Sequence, residues 1–208
     1  MKTVLILGAN GRFGQAATGA FAQAGWRVLA QMRRPPVAPL PAGVTALAVP
    51  LADTKALCAH AGAVDAVVHA VNPVYTRWNA EAMPALHHGM ATAQALDALF
   101  MLPGNVYNYG AGMPALLTED TPSQPDNAKG RLRVAMEEAM QAHVARGLRS
   151  VVRQLNQMSL KTLLVMHSGV CGIEKLSTSQ NFSSDPKALW ASLPRLNLRL
   201  LNQRSTAS

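Results

Sequence analysis

The sequence predicts an α/β protein built on one doubly wound parallel sheet with helices on both faces. Strand and helix signals alternate through the first 153 residues, and parallel strands need a crossover, usually a helix, between them. A glycine-containing turn joins the first apolar strand to an alanine-rich helix. In a sheet of this kind a ligand binds outside the carboxyl ends of the strands, so we expect the functional site at that edge.

The first three strands are predicted from apolar segments that turn residues separate. Residues 3–7 form the first strand, and the helix after it has alanine and phenylalanine at helical spacing before Gly25, a residue type that favours helix C-termini. Residues 26–32 form the second strand, which a proline-rich loop ends. Residues 44–49 form the third strand, and residues 54–60 form a short helix.

The second half of the sheet is predicted in the same alternating order. Residues 64–70 form the fourth strand, residues 80–98 a long helix, and residues 99–102 the start of the fifth strand. Residues 148–153 form the sixth strand. The helix before it, residues 129–146, has an apolar face made of Leu132, Met136, Met140 and Val144. Such a stripe is typical of a core-facing helix, and the alternative is a surface that pairs two subunits in a homodimer.

The composition changes after the sixth strand. Alanine is frequent through Ser150, and later it occurs only at positions 188, 191 and 207. The last 58 residues contain 7 of the 19 Lys and Arg but 2 of the 11 Asp and Glu, so most of the net charge of +8 lies there. We therefore predict two regions: residues 1–153 as the α/β domain, and residues 154–208 as a divergent basic tail of uncertain fold.

The bulk properties exclude several classes of protein. The basic residues of the tail are scattered and not interleaved with aromatic residues, which argues against nucleic-acid binding. The chain has no apolar run of the about 20 residues that a membrane helix needs, and its apolar start is too short for a signal peptide. Two cysteines give no disulfide framework, and His87 and His88 lack partners at metal-binding spacing. We expect a cytoplasmic protein without a metal site.

The turn after the first strand predicts a dinucleotide site. Glycines at its first, fourth and seventh positions let the backbone approach a pyrophosphate, and the N–H groups of the next helix then face the negative charge. Asn10 stands where the general fingerprint has glycine, and asparagine tolerates positive φ. The alternative is a turn whose glycines serve packing alone. The residues we assign to cofactor binding here are Gly8, Asn10, Gly11, Arg12, Phe13 and Gly14.

Three further segments follow the glycine turn in a specific order, namely Val67-Val68-His69-Ala70, Asn105-Val106-Tyr107-Asn108-Tyr109-Gly110 and Thr118-Glu119-Asp120-Thr121-Pro122. Together with that turn they resemble the extended and atypical short-chain dehydrogenase/reductase superfamily, close to its NAD-dependent epimerase/dehydratase group. The resemblance covers residues 2–153. It implies a Rossmann-like fold, a nicotinamide dinucleotide cofactor, and a small-molecule or nucleotide-sugar substrate. It also implies subunit pairing through the helices at 80–98 and 129–146.

The charge at the end of the second strand narrows the choice between the two nicotinamide dinucleotides. A site that prefers NAD has Asp or Glu there, whereas an arginine accommodates the 2′-phosphate of NADP. This chain has Arg33 and Arg34 and no carboxylate nearby, so we predict NADP. The alternatives are NAD and a solvated basic turn.

The resemblance adds four residues to the cofactor site. Asp53 follows the third strand and would lie near the adenine, although a helix cap is the alternative. The others follow the fourth strand and would lie along the ribose: His69, Ala70 and Asn72. For His69 alone, a buried core histidine is the alternative.

The resemblance also implies a catalytic tyrosine, a lysine four residues later and a nearby Ser or Thr. A spacing of four places the first two on one helix face. In this chain those positions are Lys129, Arg133 and Asn105, so the tyrosine is absent. Tyr107 or Tyr109 could supply a phenol instead, although packing against the sheet is the alternative for both. Lys129 could act as a base only if burial lowered its pKa.

Three functions remain open at this point. Too few residues follow Arg153 for the substrate lobe of this family, so we expect that lobe to be largely missing and the chain to be truncated or frame-disrupted. The first function is an NADP-preferring oxidoreductase or epimerase with an atypical active site. The second is a non-catalytic NADP-binding sensor or regulator, and the third is an inactive remnant.

Overall fold

A computed structural model of the chain describes residues 1–34, 36, 39–114, 117 and 121–154. Within these residues the chain forms six strands and four α-helices. In chain order they are β1 (Thr3–Leu7), α1 (Arg12–Gln23), β2 (Arg27–Gln31), β3 (Val44–Leu47), α2 (Thr54–Ala61), β4 (Ala66–His69), α3 (Trp78–Ala95), β5 (Leu99–Gly104), α4 (Ala128–Val144) and β6 (Ser150–Gln154). Two 3₁₀ turns, Tyr75–Arg77 and Val106–Tyr109, follow β4 and β5.

The strands form one parallel sheet in the order β3-β2-β1-β4-β5-β6. This confirms the predicted doubly wound α/β fold. The chain winds outward from β1 to β3, returns, and winds the other way from β4 to β6. Because the direction reverses between β1 and β4, the loops at their carboxyl ends separate and leave a crevice.

The sheet is buried on both faces because each side of a strand packs against helices. Along β1, Leu5 and Leu7 contact the core that α2, α3 and α4 cover, and Val4 and Ile6 contact the core that α1 covers. Alternate side chains of a strand point to opposite faces. All five residues of β1 are therefore buried, as is typical of the central strand of a parallel sheet.

The apolar stripe of α4 belongs mainly to the core. Met136 and Met140 are buried in the cluster on that face of the sheet, and Leu132 packs against it. These side chains are therefore not free to pair subunits, and the homodimer stays a prediction that sedimentation velocity would check. No helix within the described ranges has the length and apolar character that crossing a membrane demands.

The expectations for the acidic segment and for the basic tail concern residues that the structure does not describe. The residues Thr118, Glu119 and Asp120 of the acidic segment, and residues 155–208 of the tail, lie outside the described residues.

Candidate functional site

A cleft of about 920 Å³ lies at the carboxyl edge of the sheet, where the winding direction reverses. The turns after β1, β2 and β4 line it, and α3 adds residues from its first two turns. The predicted cofactor residues that line the cleft are Gly8, Asn10, Gly11, Arg12, Phe13, Arg33, Arg34, Ala70 and Asn72. The structure thus brings together nine of the twelve residues, which the sequence separates by up to 64 positions.

The glycine turn has the backbone that a close-fitting loop requires. Gly8 has φ +79°, and a Cβ there would lie 3.0 Å from the backbone of Val71 across the cleft floor. Gly11 is the N-cap of α1 and provides no side-chain cap. The first N–H groups of a helix have no intrahelical partner, so the start of α1 presents donors to this end of the cleft.

Gly14 supports the turn and does not line the cleft. A Cβ at this position would lie 2.8 Å from Ala9 Cα and would overlap the carbonyl oxygen of Gly8. Helix α1 can therefore approach β1 only because residue 14 has no side chain. This is the packing role of the third glycine in a dinucleotide-binding turn.

Gln31 is a site residue that the sequence analysis missed. Its buried side chain accepts a hydrogen bond from the Gly8 N–H at 2.9 Å and donates one to the carbonyl oxygen of Val49 at 2.7 Å. It thereby fixes the glycine turn to the loop after β3. The available signal was a polar residue near the end of the otherwise apolar run 28–32.

The charges in the cleft are mainly positive. Arg12, Arg33 and Arg34 line it on the side of α1 and β2, and the Arg34 carbonyl accepts a hydrogen bond from the Asn10 side chain at 3.1 Å. At the other end, Arg77 lies 3.1 Å from Glu81, the single carboxylate among the described lining residues. The end beside β2 therefore has a positive field without a compensating acid in the lining.

Asp53 does not line the cleft. Its Oδ1 accepts a hydrogen bond from the Ala56 N–H at 2.9 Å, so it caps α2. Asn72 does line the cleft, and its Oδ1 accepts a hydrogen bond from the indole N–H of Trp78 at 2.7 Å. That bond ties the loop after β4 to the first residue of α3.

His69 lies in the core behind the cleft and does not line it. Its side chain is 2% exposed and lies beside Phe100, and neither ring nitrogen has a hydrogen-bond partner among the described residues. Burial lowers the pKa of His69 to about 3, and the positive charge of Arg133 contributes in the same direction. The imidazole is therefore neutral at pH 7.

Arg133 is also directed away from the cleft. The side chain is buried, and its Nη2 donates to the carbonyl oxygen of Pro103 at the end of β5. Burial lowers the pKa of Arg133, while the carboxylate of Glu137 acts in the opposite sense. Arg133 therefore connects α4 to β5, and it is not among the residues that line the cleft.

Two of the other predicted catalytic residues, Tyr107 and Lys129, lie together with Tyr75 at the same edge of the sheet, and we call these three residues the phenol–ammonium cluster. The two phenol oxygens are 3.3 Å apart, and Lys129 Nζ lies 3.6 Å from the centre of the Tyr75 ring. A cation over an exposed aromatic ring is stabilised by about 0.5–1 kcal/mol. Asn105 is adjacent, and its Oδ1 accepts a hydrogen bond from the Tyr107 N–H at 3.0 Å. Tyr75 was not predicted from the sequence.

Solved structures provide the comparison with known proteins. The UDP-glucose 4-epimerase from Brucella ovis in complex with NAD has a TM-score of 0.60 and 17% identity, over 74% of this chain and 51% of that one. The UDP-Glc/GlcNAc 4-epimerase from Campylobacter jejuni has a TM-score of 0.59 and 15% identity, over 74% and 53%. MoeE5 in complex with UDP-glucose and NAD has a TM-score of 0.57 and 23% identity, over 74% and 53%.

The chain shares their fold. The predicted resemblance to epimerase/dehydratase proteins is thus confirmed for the architecture. The match spans about half the length of these solved chains. No protein-family model matches the sequence, and no curated protein sequence matches it significantly.

Proposed function

We propose that this chain binds a nicotinamide dinucleotide in the cleft and acts as an oxidoreductase or epimerase on a small or nucleotide-linked substrate. The observation that supports the proposal most is the glycine turn after β1, which lines a cleft at the β1/β4 reversal and leaves the first N–H groups of α1 without a side-chain cap. Backbone donors at a helix N-terminus favour a pyrophosphate.

The residues of the cleft fit the parts of such a cofactor. The turn from Gly8 to Phe13 would hold the pyrophosphate, because a side chain at Gly8 would fill the space between it and Val71. Ala70 and Asn72 would lie along the ribose at the other end. When bound, the dinucleotide supplies the hydride chemistry, and the protein supplies binding and orientation.

We further propose that NADP is preferred over NAD. Arg33 and Arg34 line the cleft at the end of β2, where the 2′-phosphate would lie. Two of the solved structures described above contain NAD, so the preference rests on these two arginines alone. A guanidinium gives a phosphate charge-assisted and often bidentate hydrogen bonds.

Titration with NADPH and with NADH tests both the binding of a dinucleotide and the preference for NADP. Hydrogen bonds to charged groups contribute about 1.5–3 kcal/mol, so Arg33→Ala/Arg34→Ala should weaken NADPH binding about 10- to 100-fold. NADH affinity should change less than about threefold, since NADH lacks the 2′-phosphate. Lys55→Ala, at an exposed position of α2, is the control for the loss of a surface positive charge outside the cleft. Equal loss for both dinucleotides would contradict the preference, and no binding of either would contradict the cofactor itself.

The substrate class is proposed from chemistry and fold likeness together. One similar structure contains UDP-glucose beside NAD, and we propose a nucleotide sugar or another small hydroxyl or carbonyl compound for this chain. UDP-glucose with NADP⁺ or NAD⁺ is the first probe. Formation of the reduced dinucleotide at 340 nm reports net oxidation, and conversion of UDP-glucose to an epimer, separated by chromatography, reports epimerisation.

A non-catalytic dinucleotide sensor is the second candidate. The observation that favours it is the replacement of the implied tyrosine and lysine by Lys129 and by an Arg133 that is buried against β5. Tight dinucleotide binding without turnover of any carbonyl or sugar-nucleotide compound would support the sensor. Tight binding would also exclude an inactive remnant.

A further inference from the structure

The proposed dinucleotide does not account for every residue of the cleft. The glycine turn, Arg33 and Arg34 would hold its phosphates, and Ala70 and Asn72 would lie along its ribose. Five further lining residues come from the segment after β4 and from the first turns of α3, and we call them the α3 end of the cleft: Pro73, Val74, Arg77, Glu81 and Ala85.

Arg77 and Glu81 are the two charged residues of the α3 end. Arg77 Nη1 lies 3.1 Å from Glu81 Oε1. Residues four positions apart share one face of a helix, so Arg77, Glu81 and Ala85 line the cleft together along one side of α3. The side chains of Arg77 and Glu81 are 60% and 41% exposed, and a ligand in the cleft can therefore reach both of them.

The start of α3 is fixed to the floor of the cleft. Trp78 is buried, and its indole N–H donates a hydrogen bond to Asn72 Oδ1 at 2.7 Å. The Arg77 N–H donates to the carbonyl oxygen of Val74 at 2.9 Å. On the other side of the helix, Leu86 belongs to the core that covers the sheet. The backbone under the charged pair therefore has a defined position relative to the cleft.

The two ends of the cleft differ in charge. Arg12, Arg33 and Arg34 give the end beside β2 three positive charges, whereas the charges of Arg77 and Glu81 sum to zero. A guanidinium has five N–H donors and a carboxylate has two acceptor oxygens, so the contact between one nitrogen and one oxygen leaves donors and an acceptor for a ligand. Donors beside an acceptor without net charge match hydroxyl groups, because each hydroxyl both donates and accepts.

We propose that the Arg77–Glu81 pair is a specificity determinant, which selects an uncharged, hydroxyl-bearing group of the substrate over an acidic one. The inference rests on the proposed function and adds a property of its substrate. A hydroxyl group donates to Glu81 and accepts from Arg77. A carboxylate or phosphate at the same place meets the Glu81 carboxylate, and the charge of Arg77 is already paired. Repulsion of the wrong group thus contributes to specificity together with attraction of the right one.

Two sugar nucleotides that differ in one group test this selection. UDP-glucuronate carries a carboxylate where UDP-glucose has a hydroxymethyl group. Isothermal titration calorimetry of the full chain, with and without NADPH, measures the Kd of each. UDP-glucose should bind at least about fivefold more tightly, the effect of one unit charge at about 4 Å in largely aqueous surroundings. Equal affinities, tighter binding of UDP-glucuronate, or binding of neither would overturn the proposal.

Glu81→Gln is the decisive variant, because it keeps the size of the side chain and removes its charge. The Arg77 charge is then uncompensated, so UDP-glucuronate should bind about fivefold more tightly than it binds the unsubstituted chain. Glu138→Gln, at an exposed position of α4 outside the cleft lining, is the control with the same change in net charge. An equal gain in both variants, or no gain in Glu81→Gln, would overturn the role of the pair.

Arg77→Met tests the other partner. It leaves the Glu81 carboxylate unpaired, so the preference for UDP-glucose over UDP-glucuronate should increase, while NADPH affinity should stay unchanged. Weaker NADPH binding with an unchanged ratio of the two sugar-nucleotide affinities would assign Arg77 to the cofactor and overturn this proposal. Absence of NADPH binding in the unsubstituted chain overturns the proposed function, whereas the affinity ratio measured without NADPH still decides the selection.

Discussion

Replacing Gly14 by alanine should show that the packing of α1 against β1 shapes the phosphate-binding end of the cleft. A Cβ at residue 14 would overlap the carbonyl oxygen of Gly8 and lie 2.8 Å from Ala9 Cα. Both neighbours are backbone atoms of the turn, so no side chain can rotate to make room. Helix α1 would have to move away from β1, and the cleft would lose the shape of its phosphate-binding end.

The expected magnitude follows from a matched substitution in the same helix. Overpacking costs about 1–3 kcal/mol, and Gly14→Ala should lie at the upper end because the clash is with backbone. At Gly19, also in α1, a Cβ would meet nothing within 4 Å. Gly19→Ala should therefore stabilise the protein by about 0.5–1 kcal/mol, the helix-propensity difference between the two residues.

Thermal and urea unfolding of the two variants measure this difference. The two free energies of unfolding should differ by about 3.5–4 kcal/mol, which for a chain of this size is about 7–16 °C in Tm. NADPH affinity should fall in Gly14→Ala and stay unchanged in Gly19→Ala. A Gly14→Ala variant as stable as Gly19→Ala, with full NADPH affinity, would refute the role we give to this contact.

Two further predictions concern buried polar groups. The pKa of His69 is about 3 in the folded state and about 6.5 in an unfolded chain, so the unfolded state binds more protons between these pH values and the protein becomes less stable as the pH falls below 6.5. Urea unfolding should show a loss of about 2 kcal/mol from pH 7 to pH 5. This loss should vanish in His69→Leu and persist in His60→Gln, the control at an exposed histidine. Gln31→Met should leave the Gly8 N–H and the Val49 carbonyl without the side-chain partner that they have in the structure. The free energy of unfolding should therefore drop by about 1–3 kcal/mol, and NADPH should bind more weakly. Unchanged NADPH affinity would show that Gln31 does not fix the glycine turn.

The sheet was predictable from sequence because its signals are local. Apolar runs such as 64–70, and the glycine turn beside them, specify strand and connection without knowledge of distant residues. Element ends were less predictable: the second strand was expected at 26–32 and is Arg27–Gln31, and the long helix was expected at 80–98 and is Trp78–Ala95. Helix ends depend on caps and on packing that a local pattern does not contain.

The site was predictable only where one segment defines it. Residues 8 and 10–13 of the glycine turn line the cleft together with Arg33 and Arg34, because both segments directly follow a strand. Gln31 and Tyr75 were missed because their roles depend on partners 18 to 54 positions away, namely Gly8, Val49 and Lys129. His69 and Asp53 were assigned to the cofactor site by resemblance. The direction of their side chains depends on tertiary packing, which cannot be read from the sequence.

Tyr107 differs from an ordinary surface tyrosine because its turn is anchored on several sides. The Asn105 side chain accepts the Tyr107 N–H. Asn108, fully buried, donates to Glu137 of α4 at 2.8 Å, and its carbonyl accepts the Gln124 N–H at 2.8 Å. A side chain at Gly130 would overlap the Tyr107 carbonyl, so α4 packs directly on this turn.

This anchoring gives the phenol a fixed position relative to α4 and β5. A reacting group is effective when its supporting shell holds it within about 0.5 Å of the productive geometry. The buried Arg133, which joins α4 to Pro103 at the end of β5, contributes to that shell although it does not reach the cleft. Asn108→Ala should therefore lower the free energy of unfolding in urea by about 1–3 kcal/mol, because it removes the buried hydrogen bond to Glu137. NADPH affinity should stay unchanged, because the substitution leaves the glycine turn intact.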